Sequence, residues 1–213
     1  VSTTRITHAT PAVLYAKSAD RRWESDRGVP PSAQAAGCRD IADQLIRYDV
    51  GRGLDIVLGG GRRAFYPAET ADPEYPDITG HRSDGRHLID EWQARHPTGQ
   101  FIWNREGFDG LDTDVAGPIL GLFEPGHMQY EFDRPNDPAG EPALTEMVTR
   151  AIEVLSQRSG EGFLLVVESG RIDHAHHANN AWRALTDTIE FAEAIEGAAH
   201  LTNADDTLII VTA

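Results

Sequence analysis

Phe163-Leu164-Leu165-Val166-Val167 runs directly into Glu168-Ser169-Gly170-Arg171-Ile172-Asp173-His174-Ala175-His176-His177. The first five residues are apolar and follow Gly162, the pattern of a short buried strand. The next ten bring together the carboxylates of Glu168 and Asp173 and the imidazoles of His174, His176 and His177. Ligands of open α/β sheets sit at the carboxyl ends of strands, which is where this reading puts Glu168. Asp173 and His177 are four apart, so one helical turn points both the same way. Carboxylate with neutral imidazole is a zinc-type donor set, whereas carboxylate with hydroxyls or water suits magnesium. A plainer reading stands beside it: a solvated His-rich loop, or an Asp-His pair that merely caps a helix. The mixed donors, their spacing and the lack of a nearby cysteine favour an open metal site over that reading and over a closed structural one.

Working outward, Leu208 to Thr212 reads as another buried strand, so strand, ligand loop, helix and strand make a right-handed βαβ unit. That predicts an α/β fold with a largely parallel sheet. The intervening helix should bury Leu185, Ile189, Ala192 and Ile195. Leu144, Met147, Val148, Ala151 and Leu155 form a helical stripe ended by Gly160. Upstream, Thr3 to Thr10 reads as a strand entering a loop. Ser32 caps a helix expected to reach about Tyr48, with Cys38, Ile41 and Leu45 on one face. Leu54 to Leu58 is a short strand entering Gly59-Gly60-Gly61, whose spacing indicates a tight turn rather than a nucleotide loop. Tyr66 to His81 is loop-like. Leu88, Ile89 and Trp92 mark a helix that Pro97 closes. Asn104 to Gly140 has no sustained period and is expected to form surface connections. No internal boundary divides residues 1–213, which are expected to be one α/β domain.

The balance of 34 acidic to 19 basic side chains gives a net charge of −15. Such a surface argues against nucleic acid or anionic membrane as a partner. Lys17 is the single lysine, a bias that genome composition and a salty habitat would each produce. No apolar run approaches the roughly 18–20 residues that span a bilayer, and the start has no signal-peptide pattern. Cys38 is the lone cysteine, read as a small buried helix residue.

The run Glu168-Ser169-Gly170-Arg171-Ile172-Asp173-His174-x-x-His177 resembles the metal-binding segment of alkaline phosphatases, particularly the animal-type branch. Similar family segments occur in the same order along the chain. They are Arg5-Ile6-Thr7-His8-Ala9-Thr10-Pro11-Ala12, Leu58-Gly59-Gly60-Gly61-Arg62, Asp72-Pro73-Glu74-Tyr75-Pro76, Gly121-Leu122-Phe123-Glu124-Pro125-Gly126 and Thr207 to Ala213. The resemblance implies a three-layer αβα sandwich around the parallel sheet. It implies hydrolysis of phosphate monoesters with two zinc ions and one magnesium, through a phosphoserine and with inorganic phosphate as product.

By the same resemblance, Asp173 and His177 would be zinc ligands, and Glu168 and the Thr10 hydroxyl would hold magnesium. Arg21, thirteen residues after His8, would bind phosphate through its guanidinium fork. The plainer reading of Arg21 is a surface ion-pair residue beside Asp20. His174 would serve the substrate, and His8 would tune the site from behind the ligands. His176 matches no ligand position. Glu74, the Phe123 backbone, Glu124 and Glu141 would match a further calcium site. A homodimer and an extracytoplasmic location, periplasmic, secreted or on the outer surface, are family habits. In animal-type relatives the cysteine matching Cys38 pairs with one that would lie upstream of Val1.

Departures from the family pattern shape the expectation. No Asp-Ser-Ala nucleophile segment is present, and the Asp-His pair that follows Val-Thr-Ala in the family, with a later zinc-binding histidine, is absent. The chain is therefore expected to be an internal portion of a larger catalytic domain, inactive alone and with uncovered sheet edges. A phosphodiesterase or sulfatase of the same superfamily, or a non-catalytic metal-binding relative, are the alternatives.

Overall fold

The computed structural model describes residues 1–114 and 116–212. In chain order its elements are α1 (Ala9–Ala12), α2 (Pro31–Ala35), α3 (Ile41–Ile46), β1 (Ile56–Gly59), α4 (Leu88–Arg95), β2 (Gln100–Ile102), α5 (Arg105–Asp109), β3 (Ile119–Leu122), α6 (Leu144–Arg158), α7 (Arg171–His177) and α8 (Ala181–Leu201). The three strands form a parallel sheet in the order β1-β3-β2, as the α/β reading expects.

Alternation along the strands separates two cores, because successive side chains leave opposite faces. Leu58, Ile102 and Ile119 pack with Leu144, Met147, Val148 and Ala194 of α6 and α8. Leu120 and Leu122 pack with Ala42, Leu45, Leu88 and Trp92 of α3 and α4. Helices therefore cover both faces of the sheet, giving three layers. The α6 stripe is as expected, and all five of its named residues are buried.

The N-terminal segment extends the sheet by isolated parallel bridges rather than a continuous ladder, with Ser2 opposite Glu168 and Arg5 opposite Gly60. Ser2 N donates to Leu58 O at 2.9 Å and Glu168 N to Val1 O at 3.0 Å. The expected strand at Thr3 to Thr10 is thus reduced to these contacts, and the chain turns into α1 at its end.

Several expectations are corrected. Phe163 to Val167 is extended but is not a ladder strand. Its bonds to the N-terminal segment run through Val166 O and Glu168, and Leu164 is 86% exposed. Leu208 to Thr212 is not a strand either. Leu208, at 83% exposure, and Ile210 border an apolar groove shared with Phe163, Val167 and Phe191. Ala213, at the end of that segment, lies outside the described residues. On α8 the buried face is Ala184, Asp187 and Ala194, while Leu185 and Ile189 are exposed. The face assigned from periodicity is rotated, because α8 packs through small residues against α6 and α7.

The long helix expected from Ser32 is two short ones. Gly37 adopts φ +84, which ends α2, and Asp40 caps α3 by accepting from Asp43 N. Cys38 lies between them and is exposed, not buried. Within Asn104 to Gly140 the structure holds α5 and the central strand β3, all four of whose residues are buried. Ile-Leu-Gly-Leu is too short to display a period and is buried on both faces.

Replacing Leu120 with alanine should lower unfolding free energy by about 2–5 kcal/mol, the usual cost of a cavity at a closed site. Urea unfolding monitored by circular dichroism measures it.

Candidate functional site

The glycine run after β1 lets three chain segments meet at the carboxyl edge of the sheet. A Cβ on Gly59 would lie 2.7 Å from Ser2 O, and one on Gly60 would lie 2.3 Å from Gly126 O. Gly61 turns with φ +104, a conformation open to glycine. Gly60 N donates to Thr4 O, and Gly61 N to Glu124 O, each at 2.9 Å. The N-terminal segment and the loop after β3 are thereby brought against the end of β1. Gly170 does the same for α7, since a Cβ there would lie 2.3 Å from Thr4 Cγ2.

Three imidazoles converge at this edge. His8, His127 and His174 each present a ring nitrogen, all within 4.8 Å of one another. Ring centroids are 5.1 Å apart for His8 and His127, 5.6 Å for His8 and His174, and 4.2 Å for His127 and His174. Arg21 Nη2 lies 2.9 Å from His8 Nε2, so the thirteen-residue spacing does bring the two together. Arg171 Nη1 lies 3.1 Å from His174 Nδ1, and the backbone N–H of Arg5 lies 3.1 Å from His127 Nδ1. Burial, followed by neighbouring arginines, lowers the pKa of His8 and His174 and drives that of His127 down to about 2. All three rings are therefore neutral at pH 7.

Asp173 and His177 lie on one face of α7, with Oδ1 and Nε2 3.5 Å apart and both side chains mostly exposed. His176, on the same helix, is exposed as well. Glu168 Oε2 accepts from Ser2 Oγ at 2.5 Å and Thr4 Oγ1 at 3.0 Å. Thr10 stands exposed in α1. The hydroxyls that reach Glu168 are thus Ser2 and Thr4, which sequence reasoning did not single out.

A second cluster lies at the other end of the loop after β3. Carboxylate oxygens of Glu74, Glu124 and Asp137 lie within 4.8 Å of one another. Glu141 is tied to the group through Gln129, whose backbone N donates to Glu141 Oε1 at 2.8 Å and whose Nε2 donates to Glu124 Oε1 at 2.7 Å. Arg62 Nη2 holds Glu74 Oε2 at 3.1 Å and Asp72 Oδ1 at 2.7 Å. Asp137 Oδ2 and Glu141 Oε2 are buried without a hydrogen-bond partner. Burial, then the neighbouring carboxylates, raises Glu124 to about 8 and Glu141 to about 9. Buried carboxylate oxygens without donors fit a hard cation. Asp137 had escaped the sequence reading because nothing in its local pattern marks it.

Comparison with known proteins agrees with this geometry. The family model for alkaline phosphatase matches residues 1–213. The chain is 46% identical over 219 aligned residues to the human tissue-nonspecific alkaline phosphatase isozyme, covering 100% of this chain and 41% of that protein. It thus spans about two fifths of the length of that relative. The crystal structure of Thermus thermophilus alkaline phosphatase superposes with a TM-score of 0.68 at 33% identity, over 92% of this chain and 34% of that one. A cold-active alkaline phosphatase from a psychrophilic Shewanella species gives 0.65 at 25% identity, over 93% and 38%.

The acid cluster yields a pH-dependent expectation. Folded carboxyls with raised pKa values hold protons that the unfolded chain has released. Cation-free stability should therefore fall as pH rises from about 4.5, the unfolded value, towards about 9. A divalent cation competes with those protons. Calcium chloride should raise the melting temperature at pH 8.5 and leave it unchanged at pH 5, read by differential scanning fluorimetry.

Proposed function

Because the chain belongs to the alkaline phosphatase family, we propose that the complete protein containing it hydrolyses phosphate monoesters and releases inorganic phosphate. The observation that carries this reading is the convergence of Arg21, His8 and His174 at the edge of the sheet, with Asp173 and His177 on the same short helix as His174.

Arg21 presents a planar fork of N–H donors that can engage two phosphate oxygens at once. His174, neutral with its Nδ1 facing Arg171, keeps a proton on Nε2 and can donate it to an oxyanion. His8 backs Arg21 and fixes the fork's direction. Asp173 and His177 supply the mixed oxygen and nitrogen donors suited to zinc, and the remaining ligands, with those of a second zinc, come from sequence beyond these residues. Bound there, zinc supplies Lewis acidity and lowers the pKa of water to about 7. Glu168 and Thr10 form the oxygen-only set suited to magnesium. The hydroxyls of Ser2 and Thr4, bonded to Glu168, support an oxygen-lined site at Glu168 itself, while Thr10 enters by the family resemblance alone. Glu74, the Phe123 backbone, Glu124 and Glu141, joined by Asp137, would take calcium. Their two orphaned oxygens are the support for that assignment.

The attacking serine is supplied from outside these 213 residues. Its oxygen bonds to phosphorus as the P–O bond to the ester alcohol breaks and the alcohol leaves. Water then cleaves the phosphoserine to release inorganic phosphate and restore the serine. The working unit is a homodimer located outside the cytoplasm. Developing negative charge on the non-bridging oxygens is the physical demand that Arg21 and the cations meet.

Asp173→Ala or His177→Ala in the complete protein should lower zinc content and turnover together, measured by inductively coupled plasma mass spectrometry and p-nitrophenyl phosphate hydrolysis. Unchanged zinc and turnover in the Asp173 variant contradicts the assignment. Arg21→Ala should weaken inhibition by inorganic phosphate about tenfold, the scale of a charge-assisted hydrogen bond, with metal content preserved.

A further inference from the structure

His127 has no part in the machinery above, yet it touches both of the rings that do. It sits between His8 and His174 with centroids at 5.1 and 4.2 Å. Its loop is held at both ends: Gly61 N and Arg62 N donate to Glu124 O, and Met128 N donates to Thr3 O. Its Nδ1 faces the backbone N–H of Arg5. The Arg5 guanidinium is fixed on Glu24 through Nε and Nη2 at 2.8 and 2.7 Å, and its Nη1 lies against His127 Nε2.

Three imidazoles this close could hold a metal ion, but their polarity is wrong for it. A metal-bound histidine donates its other N–H to a carboxylate or carbonyl. Here a ring nitrogen of each histidine faces an arginine N–H, and arginine accepts no hydrogen bond. In His8 and His174 that nitrogen is therefore a lone-pair acceptor, and the proton sits on the other one. At His127 both nitrogens face Arg5 N–H groups, the backbone amide and Nη1. A neutral ring accepts at only one of them, so one ring N–H is left against a donor. An acceptor oxygen relieves such a pair, and a cation does not.

We infer that His127, held by Arg5, is a positioning residue that sets His8 and His174 for the phosphate oxyanion. The inference rests on the phosphate-ester reading above. It makes the cluster an oxyanion site in which His127 spaces and orients its neighbours.

The test uses the full-length enzyme with its metals. For His127→Ala, KM for p-nitrophenyl phosphate and Ki for inorganic phosphate should rise together by about fivefold, the worth of one ordinary hydrogen bond. Turnover should change by less than about twofold, as expected when ground-state and transition-state binding are lost equally. Metal per chain should be unchanged. His127→Asn, whose Oδ1 can accept the Arg5 N–H, should recover most of the loss. His127→Phe fills the space without a ring nitrogen and carries the same expectation if the alanine variant does not fold. Unchanged KM and Ki in the Ala and Phe variants of an active enzyme overturn the inference and leave the phosphatase reading standing. Loss of one metal ion per chain in those variants overturns it in favour of a three-imidazole metal site. A parent enzyme inactive on phosphate monoesters overturns both.

Discussion

The close approach of backbone at Gly59, Gly60 and Gly61 is the constraint on which the rest depends. No residue with a Cβ fits at the first two positions, where neighbouring carbonyl oxygens would stand 2.7 and 2.3 Å away. That closeness lets Ser2 to Ile6 run beside β1 and lets the loop from Phe123 to Gln129 fold over its end. The first segment delivers His8, and the second delivers Glu124 to one cluster and His127 to the other. Parallel strands end on one edge, so every segment leaving that edge can contribute a side chain to a common site.

The two clusters divide charge in opposite senses. Around the imidazoles stand Arg5, Arg21 and Arg171, in a chain whose net charge is −15. The loop's other end enters a group of carboxylates with two buried oxygens lacking donors. One pole suits an oxyanion and the other a hard cation, about a single loop clamped by backbone hydrogen bonds. Arg62 adds rigidity at the acidic pole. It is fully buried and binds Asp72, Glu74 and the carbonyl of Leu122. Removing one partner of such a network leaves an uncompensated charge in the interior.

Much of this was legible in the sequence, for identifiable reasons. The α6 stripe showed because one face of a long helix repeats every 3.6 residues. Asp173 and His177 showed because helical spacing is fixed, and the glycine turn because its chemistry is local. Arg21 beside His8 needed family order, since nothing in thirteen residues of intervening chain demands the contact. The misreadings share a cause. β3 is four residues buried on both faces, so it has no alternation to detect. Phe163 to Val167 and Leu208 to Thr212 have strand composition, but a strand exists only with a ladder partner. The face of α8 was misjudged because Ala184 and Ala194 pack where larger side chains were expected. His127 and Asp137 were invisible, each joining its cluster only through the path of the chain.

The most direct measurement is anomalous diffraction at the zinc edge from crystals of the full-length protein. A peak within bonding distance of both Asp173 and His177, with none among His8, His127 and His174, is what the account predicts. An empty Asp173–His177 pair, or a zinc ion seated among the three imidazoles, would contradict it.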